Sequence, residues 1–489
     1  MISALDYLEF HARLQPERLL AMELSSGRQW SYREFDTCVL QCATVLLQRN
    51  IGVGDRVAAL GKNCAELIML HLACARIGAI YVPLNWRLTP IELANLIEDA
   101  EPAIIFGDAC LEVAGLKEGV SFDSLALDIA KAQSYSYTQT DNDLPSLILF
   151  TSGTSGRPKG ALLSEANLNE TALNFSLLGK VTGRSVFLCD APMFHVVGLV
   201  TNIRPVLMQG GAFIISDGFD PGKTLQRFTD SKLAITHYFC VPQMAQALRA
   251  HPEYDPAKLA GLTALFTGGA PHPAAYIQAW LADGIVIVDG YGMSEAGTVF
   301  GMPVNAELIA KRAGSVGIAS PRVQAKIVDA SGETCRVGLT GELLIKGANV
   351  ISGYWRRPQA SLEAFTDEGW FHTGDIARAD EQGYFWLVDR LKDMFISGGE
   401  NVYPNEIEAV LAQHPQVVES AVIGVSDERW GEVGHLFMVT SQTIATNDIL
   451  EYLEQHLAKY KVPKQVSVID ALPRNGAGKV VKNVLCSMV

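Results

Sequence analysis

At 489 residues the chain is longer than one hydrophobic core usually organises, and 48% hydrophobic against 19% charged residues, with 43 glycines, is the composition of a folded enzyme with more than one unit. A formal charge of −14 without any lysine- or arginine-rich block excludes a nucleic-acid backbone as an electrostatic partner. Nine scattered cysteines without a C-x-x-C pair exclude a disulfide framework and point to reduced thiols in a cytoplasmic protein, and the ten dispersed histidines offer no H-E-x-x-H zinc spacing.

The opening Met1-Ile2-Ser3-Ala4-Leu5-Asp6 has no basic region ahead of an apolar stretch, so no export signal is expected. The most apolar run, 67–83, is interrupted by His71 and Arg76, and no transmembrane segment is expected from it. Up to about residue 390, short β-branched runs alternate with helical periodicity, the pattern of a large α/β body with layered sheets and helices. Within it, 131–143 is the most loop-like stretch. A strand over 146–150 leads into Thr151-Ser152-Gly153-Thr154-Ser155-Gly156-Arg157-Pro158-Lys159-Gly160, and Ser164 then caps a predicted helix. Hydroxyls and bare amides in such a loop can wrap phosphate oxygens, because glycine permits close approach and the turn gathers N–H donors. It is not the loop of the P-loop NTPases, which needs G-x-x-x-x-G-K-[ST]: here Pro158 precedes Lys159 and Gly160 follows it.

Further on, Ala191-Pro192-Met193-Phe194-His195-Val196-Val197-Gly198 sets one histidine among apolar residues. Strands over 262–266 and 285–288 each run into a glycine-rich turn, Thr267-Gly268-Gly269-Ala270-Pro271 and Asp289-Gly290-Tyr291-Gly292-Met293-Ser294-Glu295. Open α/β sheets bind ligands at the carboxyl ends of their strands, so the three turns are expected to share one site. Trp370-Phe371-His372-Thr373-Gly374-Asp375 follows, then Asp389-Arg390-Leu391-Lys392-Asp393. Beyond that charged segment the pattern becomes a small α+β unit, with helices over 404–413 and near 447–459 and strands over 417–425 and near 465–469. The division expected is 1–390 and 391–489. Two glycine loops lie in the second unit, Ser397-Gly398-Gly399-Glu400-Asn401-Val402-Tyr403-Pro404 and Leu472-Pro473-Arg474-Asn475-Gly476-Ala477-Gly478-Lys479.

In type and order, from roughly residue 25 to the end, these motifs resemble those of the adenylate-forming superfamily: acyl- and aryl-CoA ligases, luciferases and peptide-synthetase adenylation domains. The resemblance is strongest to the ligases. It implies that ATP phosphates lie on Thr151, Ser152, Gly153, Thr154, Ser155, Gly156 and Lys159, and that adenine lies among Gly268, Gly269, Ala270, Asp289, Gly290, Tyr291, Gly292 and Met293. Tyr291 would stack on the purine, Ser294 would donate to the α-phosphate and Glu295 would ligate Mg2+. By the same likeness Asp375 accepts the ribose hydroxyls, Arg390 makes a second ribose or phosphate contact, and His195 orients or gates the acid without acting as a general base. Lys479 would bridge carboxylate and α-phosphate as adenylation proceeds. Rotation of the small unit about Lys392 would then exchange it for the loop of Gly398, Gly399 and Glu400, past which coenzyme A enters.

The reaction implied is adenylation of a carboxylic acid, fatty or aryl, followed by transfer to coenzyme A, with loading of an acyl carrier protein as the alternative. An apolar acid tail is expected among Phe194, Val196, Val197, Leu199, Tyr238, Phe239, Met293 and Phe300. Two positions depart from the usual pattern: Ser294 stands where threonine is usual, and Glu165 where many relatives carry histidine, which bears on closure over the nucleotide. The sequence leaves the acid and the oligomeric state open.

Overall fold

The apolar run 67–83 divides at Gly78, whose φ of 76° ends the helix Ala65–Ile77 and lets the strand Ile80–Leu84 begin. Nearly every residue of that helix is buried, as expected of one that is apolar all round. Its Arg76 is buried too, and its charge is met by Asp6 at 2.8 Å and Asp36 at 2.5 Å. The computed structural model describes residues 6–134, 141–151, 158–270, 272–397, 400–427, 429–475 and 479–489.

Two mainly parallel sheets form the body, in keeping with the α/β alternation. The six-stranded sheet runs, in spatial order, Val120–Ser121, Ile104–Gly107, Arg56–Leu60, Ile80–Leu84, Pro145–Thr151 and Lys159–Ser164, with only the last strand antiparallel to its neighbour. The nine-stranded sheet is parallel through Ile287–Met293, Ala264–Thr267, His237–Cys240, Val186–Cys189, Ala212–Ile215 and Leu19–Glu23, with antiparallel strands at its edges. Ser164 caps the helix Glu165–Leu178 and exchanges hydrogen bonds with Asn167 in a capping box. This helix leaves the six-stranded sheet and packs on Gly297–Gly301 of the nine-stranded one. It ties the phosphate-loop hairpin to the second sheet.

A third, four-stranded antiparallel sheet, Val323–Val328, Gly341–Gly347, Phe371–Ala379 and Phe385–Arg390, closes the body. Beyond it a five-stranded sheet of Phe395–Ser397, Glu400–Val402, Val417–Asp427, Gly431–Thr440 and Gln465–Val468 packs with the helices Pro404–Leu411 and Thr446–His456. The small unit has cores of its own, one around Ile407, Leu411, Leu436 and Leu453, the other around Ile423, Phe437 and Leu485. Among the described residues no helix is long and apolar enough to cross a membrane.

The strand expected over 285–288 does not stop at a turn. It spans Ile287–Met293 and takes Asp289, Gly290, Tyr291, Gly292 and Met293 into itself, pairing in parallel as far as Asp289 and then antiparallel with Gly297–Gly301. The glycines permit this. A Cβ on Gly292 would come within 2.2 Å of the Gly297 carbonyl oxygen, and one on Gly290 within 3.0 Å of that of Phe300. The expected loop 131–143 begins at the last residue of the helix Phe122–Lys131, and 135–140 fall outside the described residues.

Candidate active site

The hairpin of Pro145–Thr151 and Lys159–Ser164 holds both ends of the phosphate loop. Thr151 pairs with Lys159 across it, and its hydroxyl donates to the Lys159 carbonyl at 3.2 Å. Ser152, Gly153, Thr154, Ser155 and Gly156 lie outside the described residues. At the exit, a Cβ on Gly160 would sit 2.7 Å from Ile148 Cγ2, and the Gly160 carbonyl accepts from the Trp355 amide at 2.8 Å. The Lys159 ammonium lies 5.2 Å from the ring centroid of Tyr354, whose hydroxyl donates to Glu295 Oε1 at 3.1 Å. Tyr354 thus joins the base of the phosphate loop to the carboxylate expected to bind the metal. Its only sequence signal is the Gly353-Tyr354-Trp355 turn, 59 positions from Glu295.

Glu295 follows the strand Ile287–Met293 in a turn with the half-buried Ser294. Its carboxylate is buried, which raises its pKa, while Tyr354, Arg390 and Lys479 act in the opposite sense. Among the described residues no group of three or more His, Cys, Asp or Glu could hold a metal ion. A single carboxylate nevertheless fits Mg2+ arriving with a nucleotide, because that ion is commonly held by one or two carboxylates plus phosphates and water.

The neighbouring strand Ala264–Thr267 brings Gly268, Gly269 and Ala270 alongside. A Cβ on Gly268 would approach the Gly290 carbonyl oxygen to 3.0 Å and Phe239 Cζ to 3.2 Å, and Gly269 has a φ of 82°. Beneath them Asp289 is buried and accepts from the Thr267 hydroxyl at 3.1 Å, with His272 Nδ1 3.0 Å from that hydroxyl. Burial pushes the Asp289 carboxyl up to about 8, against the hydrogen bonds from Thr267 and Gly290, which favours its protonated form.

Tyr291 donates to Asp375 Oδ2 at 2.5 Å, and Arg390 Nε lies 2.8 Å from Asp375 Oδ1. The geometry comes from the four-stranded sheet, where Asp375 and Arg390 are cross-strand partners, and Asp375 takes a further constraint from its amide bond to Thr373 Oγ1. Tyr291 is buried with its ring 5.8 Å from that of Phe300, which stacks on Phe385 at 4.5 Å.

Lys479 closes the group from the small unit. Its charge acts on Glu295, Asp375 and His195 and is opposed by that of Arg390, all four residues of the body. Its own pKa is lowered, by burial first and by Arg390 second, against Asp375 and Glu295. By surface area, however, Lys479 is exposed. Solvent at the exposed side chain opposes that lowering. Burial, with Arg87 and Lys479 near, brings His195 down to about 4, and its Nε2 has no hydrogen-bond partner among the described residues. A neutral imidazole of this kind is a poor general base near neutral pH. Glu400 is exposed in the strand Glu400–Val402, Gly398 and Gly399 lie outside the described residues, and Lys392 is exposed in the turn after Arg390.

One expectation needs correction. Tyr238 and Leu199 are not walls of the acyl pocket: both are fully buried, and Tyr238 points away from Phe239, with its hydroxyl 3.1 Å from Asp190 and its ring against Phe228. Phe300 is likewise core, packed between Tyr291 and Phe385. Val196, Val197, Phe239 and Met293 are half-buried, and Phe194 is buried with its ring 4.4 Å from that of His195. Glu165, in turn, is engaged with Arg204 and Ser146. It makes two bonds to Arg204, at 2.6 and 2.8 Å, accepts from Ser146 at 2.6 Å, and Arg204 reaches His71 Nε2 at 2.6 Å. A carboxylate so paired braces the hairpin. Arg204→Met should therefore cost about 1–3 kcal/mol of stability by leaving the half-buried Glu165 without its charged donor. Denaturant unfolding measures this, and Arg204→Met with Glu165→Gln should recover part of the loss.

The family described as AMP-binding enzyme matches residues 8–355, and its C-terminal domain matches 406–479. The chain belongs to the AMP-binding enzyme family. It is similar to a feruloyl-CoA synthase of Amycolatopsis sp (38% identical, covering 96% of each chain). It is also similar to a long-chain-fatty-acid–CoA ligase of Mycobacterium tuberculosis (35%, 98% and 97%) and an indoleacetate–CoA ligase of Aromatoleum aromaticum (34%, 99% and 98%). Among solved structures, ATP-bound MatB from Rhodopseudomonas palustris superposes with a TM-score of 0.91 at 34% identity, and its apo form with 0.81 at 35%, each over 99% of this chain and 98% of the other. MenE from Bacillus subtilis in complex with ATP and magnesium gives 0.88 at 27% identity over 98% and 99%.

Proposed function

We propose that this site adenylates a carboxylic acid with ATP and then transfers the acyl group to coenzyme A. The observation that carries the reading is the cluster in which Tyr291 and Arg390 hold Asp375 at 2.5 and 2.8 Å and Tyr354 holds Glu295 at 3.1 Å, with the charge of Lys479 acting on both carboxylates. Adenylation brings two anions together: a carboxylate oxygen bonds to the α-phosphorus of ATP while the bond to pyrophosphate breaks. Lys479 offsets their repulsion, Thr151 and Lys159 hold the ends of the loop around the phosphates, and Asp375 with Arg390 fixes the ribose. Glu295 would hold Mg2+ together with the nucleotide, and the ion would supply charge neutralisation at the phosphates. The thiol of coenzyme A then bonds to the acyl carbon, and AMP leaves.

Two half-reactions at one place require different partners, so residues 391–489 act as a lid that turns about Lys392. The closer superposition on ATP-bound MatB than on its apo form supports a lid standing in the adenylating arrangement here. For the acid we favour an apolar tail, fatty or aryl, lying against Phe194, Val196, Val197, Phe239 and Met293. The acids named for the relatives, ferulate, indoleacetate and long-chain fatty acids, are of that kind, and all three enzymes carry CoA in their names, which favours it over a carrier protein. A cytoplasmic setting suits nine unpaired thiols.

AMP release from a panel of aryl and fatty acids, with and without coenzyme A, tests the reading. Thioester formation on a carrier protein but not on coenzyme A would overturn it. Glu295→Gln should raise the Mg2+ concentration for half-maximal rate by about tenfold or more, at least what loss of a residue supporting a metal ligand typically costs. A Mg2+ titration of ATP–pyrophosphate exchange measures it. Unchanged half-saturation would remove Glu295 from the metal.

A further inference from the structure

The helix Pro404–Leu411 begins the lid without a cap of its own: Tyr403, at its N-cap, makes no side-chain bond to the first turn. The missing acceptor comes from the body. Asp389, buried in the strand Phe385–Arg390, accepts from the Asn405 amide at 2.9 Å through Oδ2, while its Oδ1 accepts from the amide of Arg390 at 2.7 Å. A carboxylate at a helix N-terminus satisfies an orphan donor and meets the positive end of the helix dipole. Lys482 provides a second tie. It opens the short helix Lys482–Cys486, pairs with Glu408 at 3.1 Å and is attracted to Asp389 and Asp393.

These contacts are placed so as to bear on the reaction. Asp389 precedes the pivot Lys392 by three residues, and Lys482 follows Lys479 by three. Asp389 is fixed in the body by pairing with Ile376 of the four-stranded sheet, whereas Asn405, Glu408 and Lys482 all belong to the lid. A rotation about Lys392 would leave the carboxylate behind and carry its partners away.

We propose that Asp389 is a positioning residue for adenylation, a latch whose carboxylate caps the first helix of the lid and draws the Lys482 segment inward, so that Lys479 is held in the site. The inference rests on the reading of Lys479 and of the lid given above. The latch acts only in the arrangement that adenylates, so its loss shifts the balance between half-reactions instead of lowering both. It also belongs to the protein and not to any substrate, so the effect is independent of the acid used.

Asp389→Ala should reduce ATP–pyrophosphate exchange about fivefold to tenfold, the scale of one lost helix cap, and leave thioester formation from a supplied acyl-adenylate unchanged or faster. The isosteric Asp389→Asn, which keeps an acceptor and loses the charge, should fall between Asp389→Ala and wild type. Hydrogen exchange at the Asn405 amide should quicken in Asp389→Ala. An equal fall in both half-reactions, or none in either, overturns the latch. Lys479→Ala run in parallel keeps the two readings apart. Normal adenylation there removes the assignment of Lys479, whereas loss there with none in Asp389→Ala removes only the latch.

Discussion

Lys479→Ala is expected to lower ATP–pyrophosphate exchange by roughly a hundredfold or more while leaving thioester formation from a supplied acyl-adenylate largely intact. The scale is that of removing one preorganised group from the place where charge develops. The asymmetry has a physical origin. The ammonium is needed where carboxylate meets α-phosphate, and in the second half-reaction that bond is already made and a neutral thiol replaces one of the anions. Lys479 acts on Glu295 and Asp375 from the far end of the chain, so its removal should leave the body's sheets and core as they are. Measuring the two half-reactions separately on the same preparation decides the matter. A parallel fall in both would take Lys479 out of this role.

Lys392→Pro should act on the other half. Proline restricts φ to about −65° and opposes the large dihedral change that a lid rotation asks of its pivot. Lys392 lies exposed between Arg390 and Asp393, and the Asp393 amide already donates back to the Arg390 carbonyl at 3.0 Å, so the turn is compact before any substitution. If the fixed angle suits the adenylating arrangement, ATP–pyrophosphate exchange persists and transfer to coenzyme A falls by a much larger factor. Thermal unfolding should move little, because an exposed turn outside both cores is being changed. Equal retention of adenylation and transfer would exclude a hinge at this residue.

Much of this arrangement was legible in the sequence because the chemistry is local. A strand followed by a loop of hydroxyls and glycines, Ser164 at a helix start and the apolar face of Ile407, Val410 and Leu411 each declare themselves within a dozen residues, and the helix Glu165–Leu178 and the small unit follow them. What escaped the sequence is set by tertiary pairing. Glycines in Asp289-Gly290-Tyr291-Gly292 read as a turn, yet they serve a strand that meets Gly297–Gly301 too closely for side chains. Tyr354 and Glu295 meet only in the folded chain, as do Glu165 and Arg204. The strand His237–Cys240 is covered on both faces, so no periodicity could tell the half-buried Phe239 from the fully buried Tyr238.

The triple contact of Tyr291, Asp375 and Arg390 has a thermodynamic consequence for any ligand that reaches Asp375. Its carboxylate is already aimed, one oxygen on a phenol and the other on a guanidinium, so an arriving hydroxyl pair need not freeze a freely turning side chain. Association there trades one set of bonds for a shared set, and the enthalpy gained at that carboxylate should be small. The advantage lies in entropy that folding has already given up, long before a nucleotide arrives.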